Sequence, residues 1–469
     1  MEGLPPVTGI QYDSRKVRPG DCFVAVPGEK TDGRRFIVDA VARGAGAVVA
    51  EDLSAVPEGV AALQVADARK ALSRLSAEFH GHPSRSLKTV GITGTKGKTT
   101  TSYFLEAILL AAGERPGVLG TVSYRWPGVE REAGRTTPES LDLQEMLSGM
   151  LSAGATAAVL EVSSHALVLS RAADVAFRSA IFTNLASDHL DYHKTVEAYR
   201  DAKGILFRDL ESGAVAVLNA DDPASGQYRR ETRASVLTFA MDARADCSAE
   251  ILEAAWDSTR VRFRTPAGPF EARLSFVGRH NVMNALAAAA GGISLGIPPD
   301  AVRRGLESVT RVPGRLDRVP CALPFRVFVD YAHTEDSLRN LLVAVRAFTK
   351  GRVLLAFGCG GDRDRTKRPR MGAVAQQLSD VAVVTSDNPR SEDPGSILRE
   401  ITAGMTGPRP YRVEEDRTQA IRLLVAEAKE GDTVVIAGKG HERGQVFKDR
   451  VVPFDDLEEA RAAVASLGG

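Results

Sequence analysis

The chain carries no surplus of charge: 60 Lys and Arg residues stand against 60 Asp and Glu. Without a basic balance it has no electrostatic reason to seek nucleic acid or an anionic membrane as partner. Cysteine is scarce. Cys22, Cys247, Cys321 and Cys359 lie far apart with no metal-ligand spacing, which fits a reducing compartment rather than a disulfide framework or a zinc site. No run approaches 18 uncharged apolar residues, and the start, Met1-Glu2-Gly3-Leu4-Pro5-Pro6, has neither a basic stretch nor an apolar segment. A soluble, cytoplasmic protein is expected. Internal repeats, low-complexity tracts and coiled-coil heptads are absent as well. So is the dinucleotide fingerprint, because the glycines around Gly358, Gly360 and Gly361 miss its spacing, and this argues against a nicotinamide or flavin site.

What is present is a run of strand-then-helix units. A length of 469 residues exceeds one hydrophobic core and suggests about three domains. The first segment, to about Arg85, mixes short strands (Cys22 to Val26, Ala47 to Ala50) with a helix over Phe36 to Arg43, and His82-Pro83-Ser84 reads as a linker. From Leu87 onward fully apolar strands alternate with helices: Thr89 to Thr93, Ala157 to Glu161, Ala180 to Thr183 and Ala214 to Asn219. Strands of that kind belong to a parallel sheet covered on both faces. The second segment ends near Val312-Pro313-Gly314. The alternation restarts with Phe325 to Val329, Val353 to Phe357, Val381 to Thr385 and Val434 to Ala437, a doubly wound α/β pattern.

In such sheets ligands sit beyond the carboxyl ends of the strands, so the residues that follow each strand carry the chemistry. After Thr89 to Thr93 comes Gly94-Thr95-Lys96-Gly97-Lys98-Thr99-Thr100, a phosphate-binding turn of a nucleoside-triphosphate site. Its glycines let backbone N–H groups close on phosphate, the helix N-terminus adds its dipole, Lys98 adds a point charge, and Thr99 suits Mg2+. Ile92 occupies the first glycine position of the longer phosphate-loop pattern, so this is a shorter form. Glu161, at the end of its strand, is placed to hold a metal opposite that loop. Asn184 to His193 packs Asp188, His189, Asp191 and His193 behind a buried strand, a density suited to metal and phosphate. Lys203 shares the apolar face of a helix beginning near Thr195 with Val196, Tyr199 and Leu206; a lysine there either snorkels outward or is held for a function. Farther on, Asp330 follows a strand and suits a ribose hydroxyl or a metal-bound water. The run Arg363 to Arg370 suits phosphate or carboxylate. Asp387-Asn388-Pro389-Arg390 can grip an amino acid, the arginine clamping a carboxylate and the acid and amide an ammonium. Gly438-Lys439-Gly440-His441-Glu442 closes a further strand with a glycine turn and a carboxylate.

Taken in this order, from Asp13-Ser14-Arg15 to Gly438-Lys439-Gly440-His441-Glu442, the motifs resemble the Mur ligases of peptidoglycan synthesis over essentially the whole chain. The resemblance implies an α/β fold of three domains: a small nucleotide-sugar-binding domain at 1–86, a central phosphate-loop-type parallel-sheet ATPase domain at 87–315, and a Rossmann-like amino-acid-binding domain at 316–469. It implies a monomeric ligase that takes only small molecules. ATP would occupy Gly94 to Thr100 with Asn281, Arg315 and Asp330, and Mg2+ would sit on Thr99, Glu161 and His189. Lys203 would react with CO2 to give a carbamate that also holds the metal. Lys98, Lys203, Glu161 and His189 would be the catalytic set. Tyr12, Ser14, Glu29, Lys30 and Thr31 would bind uridine diphosphate, and Thr136, Thr137, Ser163 and Arg171 the muramoyl dipeptide. Arg363, Asp387, Asn388, Pro389, Arg390, Gly438 and Glu442 would bind the incoming amino acid. An arginine in the Asp-Asn-Pro-Arg quartet implies meso-diaminopimelate, with L-lysine or L-ornithine as the alternative and a folylpolyglutamate synthase as a more distant one. Leu169 replaces a common glutamine, Arg135 a common asparagine, and Glu335 the proline usual after Tyr-Ala-His-Thr.

Overall fold

The structure, a computed structural model, describes residues 5–28, 31–186 and 188–468. The chain divides into two compact units, one made of 1–249, 263–270 and 284–308, the other of 250–262, 271–283 and 309–469.

The first unit contains two sheets. A small parallel sheet takes Ile10–Gln11, Cys22–Val24, Ala47–Ala50 and Ala61–Gln64 in chain order. Alternate residues of its strands enter two cores: Cys22, Val24, Ala47 and Val49 pack with the helix Ala68–Phe79, while Phe23, Val48 and Ala50 pack with the helix Ile37–Ala42. Asp67 caps the longer helix, its carboxylate accepting from the backbone N–H groups of Arg69 and Lys70, each at 3.0 Å.

The larger sheet runs Ser235–Ala240, Val215–Asn219, Ser179–Phe182, Lys88–Thr93, Ala157–Glu161, Pro116–Leu119, all parallel. Beyond it an antiparallel hairpin, Ser123–Trp126 with Val129–Glu132, forms an edge whose last strand is fully exposed and mostly charged. Lys88–Thr93 is thus an interior strand, and its register places Ile92 opposite Glu161 and Thr93 opposite Phe182. The loops that follow Thr93, Glu161 and Phe182 therefore leave the same edge together. His82-Pro83-Ser84, expected as a linker, is instead packed in. Pro83–Ser86 is a short 3-10 helix with Pro83 and Ser84 buried, and the Ser84 hydroxyl accepts from Ala176 N–H at 3.0 Å. That bond satisfies a backbone donor that no sheet partner reaches.

The second unit holds a six-stranded sheet ordered Asp317–Val319, Arg326–Asp330, Thr433–Ala437, Val353–Phe357, Val381–Val384, Tyr411–Val413, parallel except for the first strand. Its strands read as continuous apolar runs because alternate residues serve two cores. Val353, Leu355 and Phe357 join Leu338, Leu342 and Met371, and Leu354 and Ala356 join Ile421, Leu424 and Leu457. The expected strands of both units lie within one residue of those observed, except that the strand expected over Cys22 to Val26 ends at Val24.

Behind the strand Thr433–Ala437 lies a fully buried ion pair. Arg417 Nε and Nη2 donate to the two oxygens of Asp456 at 2.7 Å, and Nη2 also donates to Ala437 O at 3.0 Å, immediately before Gly438. Removing one partner of such a pair leaves a desolvated charge and costs about 3–5 kcal/mol. Asp456→Ala should therefore lower the unfolding transition of this unit by several degrees in calorimetry; an unshifted transition contradicts the reading.

Candidate active site

Gly97 ends the phosphate turn and caps the helix Lys98–Ala111, with φ of 85° and no side-chain cap. A Cβ at Gly97 would lie 2.2 Å from Asn284 Oδ1, so only glycine fits between the turn and that amide. The turn is held from one side. Thr95 N–H donates to Asn184 O at 2.8 Å, Lys96 N–H donates to Asn184 Oδ1 at 3.0 Å, and Thr183 Oγ1 donates to Lys96 O at 2.6 Å. Lys98 folds back over the turn, its ammonium donating to Gly94 O at 2.7 Å and Thr95 O at 3.1 Å. Thr100, in the first helical turn, is buried.

Glu161 meets this turn, as its place on the sheet predicts. Thr99 Oγ1 donates to its Oε2 at 3.1 Å, and Thr121 adds its hydroxyl at 2.8 Å and its N–H at 3.1 Å. Thr121 was not singled out in the sequence, although it follows the strand Pro116–Leu119 as Glu161 ends its own. Among the described residues no three His, Cys, Asp or Glu side chains converge as a metal cage. A hydroxyl and a carboxylate side by side, without a cage, are the hard oxygen set that suits Mg2+, which keeps water and phosphate oxygens as its other ligands.

Lys203 lies on the helix Val196–Arg208, which Thr195 caps through a bond from Ala198 N–H at 3.0 Å. Tyr199, Lys203 and Leu206 are buried on one face as expected, with Lys203 1% exposed, whereas Val196, in the first turn, is 39% exposed. The Lys203 ammonium does not snorkel. It donates to Gly94 O at 3.0 Å and lies 4.3 Å from the centre of the Tyr199 ring. Burial, then the neighbouring Lys98 charge, hold its pKa well below the ordinary lysine value; Lys96 adds to this and Asp188 opposes it. His189 adopts a left-handed conformation (φ 54°); the residue as a whole is exposed, and desolvation of its ring pushes its pKa below the ordinary imidazole value against the pull of Asp188. Its imidazole is neutral at pH 7, the form that can ligate a metal.

Thr136 and Thr137 flank Glu161. Thr136 Oγ1 pairs with Thr121 Oγ1 at 3.1 Å, and Thr137 Oγ1 donates to Glu161 O at 2.8 Å while accepting from Ser163 N–H at 3.1 Å. Ser163 caps the short helix Ser164–Val168. Arg171 pairs with Glu139 at 2.8 Å; Arg135 reaches the same carboxylate at 3.0 Å and Arg69 at 3.5 Å. Glu139, unremarked in the sequence, thus holds three guanidinium groups. Burial lowers the Arg171 pKa, and its buried Nε has no hydrogen-bond partner among the described residues. Tyr12 donates to Asp142 Oδ2 at 2.7 Å, with its pKa raised by burial and by that acid. Ser14 is buried at the start of the turn that Asp13 caps, and Thr31 is exposed, its carbonyl accepting from Gly28 N–H at 3.0 Å. Glu29 and Lys30 lie outside the described residues.

In the second unit Asp330 accepts from Leu316 N–H at 2.6 Å and Ala332 N–H at 2.8 Å, and burial raises its pKa against the pull of Arg315. The Arg315 guanidinium lies 5.0 Å from the Tyr331 ring centre. Asn281 is buried and donates to Val277 O at 2.9 Å. Asp387, Asn388 and Pro389 are buried, and Arg390 follows with φ 53°, its N–H donating to Val446 O at 2.9 Å. Arg390 Nη1 donates to Gly361 O at 2.8 Å, and no protein carboxylate pairs with this guanidinium among the described residues. Asn388 donates to Glu442 Oε2 at 2.7 Å and accepts from Lys439 Nζ and Val446 N–H, each at 2.9 Å. A Cβ on Gly438 would meet Asp387 Oδ2 at 2.6 Å. Arg363 is exposed, donating to Asp362 O at 3.2 Å, while Arg365 and Arg368 of the same basic run are spent on Glu392 and Glu400. Among the described residues no helix is long and apolar enough to cross a membrane.

The chain is similar to known proteins along most of its length. Residues 6–80 match the model described as Mur ligase family, catalytic domain, 92–292 the Mur ligase middle domain, and 314–440 the Mur ligase, glutamate ligase domain. The UDP-N-acetylmuramoyl-L-alanyl-D-glutamate--2,6-diaminopimelate ligase of Solibacter usitatus is 45% identical, over 98% of this chain and 94% of its own. That of Geobacter metallireducens is 44% identical, again over 98% and 94%. A solved structure of a ligase of the same name superposes with a TM-score of 0.71 at 32% identity, covering 99% of this chain and 96% of that one. With near-complete coverage at such identities, and with the phosphate turn and its buried acid and lysine in place, the chain belongs to the Mur ligase family.

Proposed function

We propose that the protein is an ADP-forming amide ligase that joins meso-diaminopimelate to the γ-carboxylate of D-glutamate in UDP-N-acetylmuramoyl-L-alanyl-D-glutamate, acting as a cytoplasmic monomer in peptidoglycan precursor synthesis. Its three domains would be 1–86, 87–315 and 316–469, a division supported by the spans of the three family matches. The observation that carries the choice of amino acid is Arg390, a guanidinium anchored through one nitrogen to Gly361 O and unpaired with any protein acid among the described residues. Diaminopimelate has a distal carboxylate for that fork; lysine and ornithine have none.

The γ-carboxylate oxygen attacks the γ-phosphorus of ATP, the bond to ADP breaks, and an acyl phosphate results. The amine of diaminopimelate then attacks the acyl carbon, phosphate leaves, and the amine gives up a proton. Lys98 exchanges its loop carbonyls for phosphate oxygens, and the backbone of Gly94 to Gly97 lines the phosphates. Thr136, Thr137, Ser163 and Arg171 hold the dipeptide so that its carboxylate lies in line, the buried Arg171 Nε supplying a donor for an anionic group. Thr99, Glu161, His189 and carbamylated Lys203 would hold Mg2+, which when bound neutralises the charge developing on the phosphoryl oxygens. Lys203 suits carbamylation because a depressed pKa leaves an unprotonated amine to attack CO2, with release of one proton. In the second unit Asn281, Arg315 and Asp330 would receive the nucleoside.

Lys203→Ala should abolish turnover, and acetate, which returns an anion to that space, should restore part of it. Near-normal turnover of this variant in CO2-depleted buffer contradicts the carbamate. Phosphate release measured with ATP, the muramoyl dipeptide nucleotide and a panel of amino acids tests the substrate. Meso-diaminopimelate should exceed lysine and ornithine by at least ~100-fold in kcat/KM, about 2.7 kcal/mol. Arg390→Ala should raise the KM for diaminopimelate far more than those for ATP and the nucleotide-sugar. Equal use of lysine or ornithine by the wild type would sink the assignment.

A further inference from the structure

Lys439 is the one residue of the Gly438-to-Glu442 turn whose side chain the proposed reaction leaves without a task while the fold buries it completely, at 0% exposure. It sits beyond the carboxyl end of the strand Thr433–Ala437, in a closely packed turn. Gly440 has φ 57°, and a Cβ there would lie 2.7 Å from Tyr331 Cβ and 2.9 Å from Tyr331 N, so the turn is seated against Tyr331. From there the ammonium donates to Asn388 Oδ1 at 2.9 Å and Glu442 Oε2 at 3.1 Å. Asn388 Nδ2 donates to the same Glu442 oxygen at 2.7 Å, and Val446 N–H completes the Asn388 carbonyl at 2.9 Å. Lys439, Asn388 and Glu442 therefore form a closed triangle joining the two loops that follow Val381–Val384 and Thr433–Ala437. Both nitrogen donors converge on Oε2. Oε1 accepts only a long bond, 3.5 Å, from the Tyr331 hydroxyl, and the side chain is 31% exposed.

We infer that Lys439 is a positioning residue for amino-acid recognition: it fixes Oε2 of Glu442 so that Oε1 is presented to the ammonium of the incoming amino acid, and it aligns Asn388 beside the Arg390 segment. This rests on the assignment of the second unit to the amino-acid substrate. A carboxylate pinned at one oxygen keeps a single orientation and loses little entropy when it receives a cation. The buried lysine needs Glu442 in turn, because a desolvated ammonium without a carboxylate is costly. The Lys439 ammonium bonds only to Asn388 and Glu442, both of the amino-acid assignment, so its effect is expected in amino-acid binding.

Steady-state kinetics of Lys439→Met, Glu442→Gln and the double variant test this, with each substrate varied in turn. For Lys439→Met the KM for meso-diaminopimelate should rise at least ~10-fold, with the KM values for ATP and the nucleotide-sugar changed by less than about twofold. The double variant should be no worse than the more damaged single one, since the lysine acts through the glutamate. Equal rises in all three KM values, a rise confined to ATP, or multiplying defects in the double variant would each overturn the inference. If Lys439→Met does not fold, Lys439→Gln, which keeps donors without the charge, carries the same comparison. If the wild type uses another amino acid of the panel, the substrate assignment fails separately, and the same ratios measured with that amino acid still decide the role of Lys439.

Discussion

Two lysine side chains, Lys98 from the phosphate turn and Lys203 from a helix more than a hundred residues later, donate to one backbone carbonyl, that of Gly94. Like charges brought together away from water repel strongly, and burial deepens the penalty. The structure relieves this at Lys203, whose charged form is disfavoured by burial and by Lys98. The rest of the first site follows. Lys98 and Lys203 close on the same loop, and it is the fully buried one whose protonated form is disfavoured. Both can meet there because the strands Lys88–Thr93, Ala157–Glu161 and Ser179–Phe182 are parallel neighbours whose loops leave one edge.

The second unit uses the same architecture for a different purpose. Its strand-end loops also gather at one edge, but they build a polar lattice rather than a cradle for phosphate. Asn388 bonds to Lys439, Glu442 and Val446, so the amide ties the two loops together, while Arg390 Nη1 is held by the Gly361 carbonyl. The Arg417–Asp456 pair behind Ala437 anchors the strand that carries this turn.

Much of this was legible in the sequence. Uninterrupted apolar runs marked the parallel strands, and the order of glycine, lysine and threonine marked the turn. The 3.6-residue spacing put Lys203 inward, and only Val196 departs, because the first turn of its helix reaches past the core. The hairpin Ser123–Glu132 escaped because its short strands mix charge with aromatics and one of them lies in solvent. The packing of Ser84 is not visible locally, since its hydroxyl meets Ala176, 92 residues away. Glu139 and Lys439 escaped for the same reason: their roles come from partners that only folding brings near. Arg69 is 70 residues from Glu139, and Asn388 is 51 from Lys439.

The central claim is that the substrate carboxylate is activated as an acyl phosphate rather than as an adenylate. The most direct measurement uses UDP-N-acetylmuramoyl-L-alanyl-D-glutamate labelled with 18O in the γ-carboxylate, turned over with ATP and diaminopimelate, followed by mass analysis of the products. One labelled oxygen should leave with inorganic phosphate, because the carboxylate oxygen that attacked phosphorus departs with it when the amine displaces it. Unlabelled phosphate, or label recovered in AMP, would contradict the account.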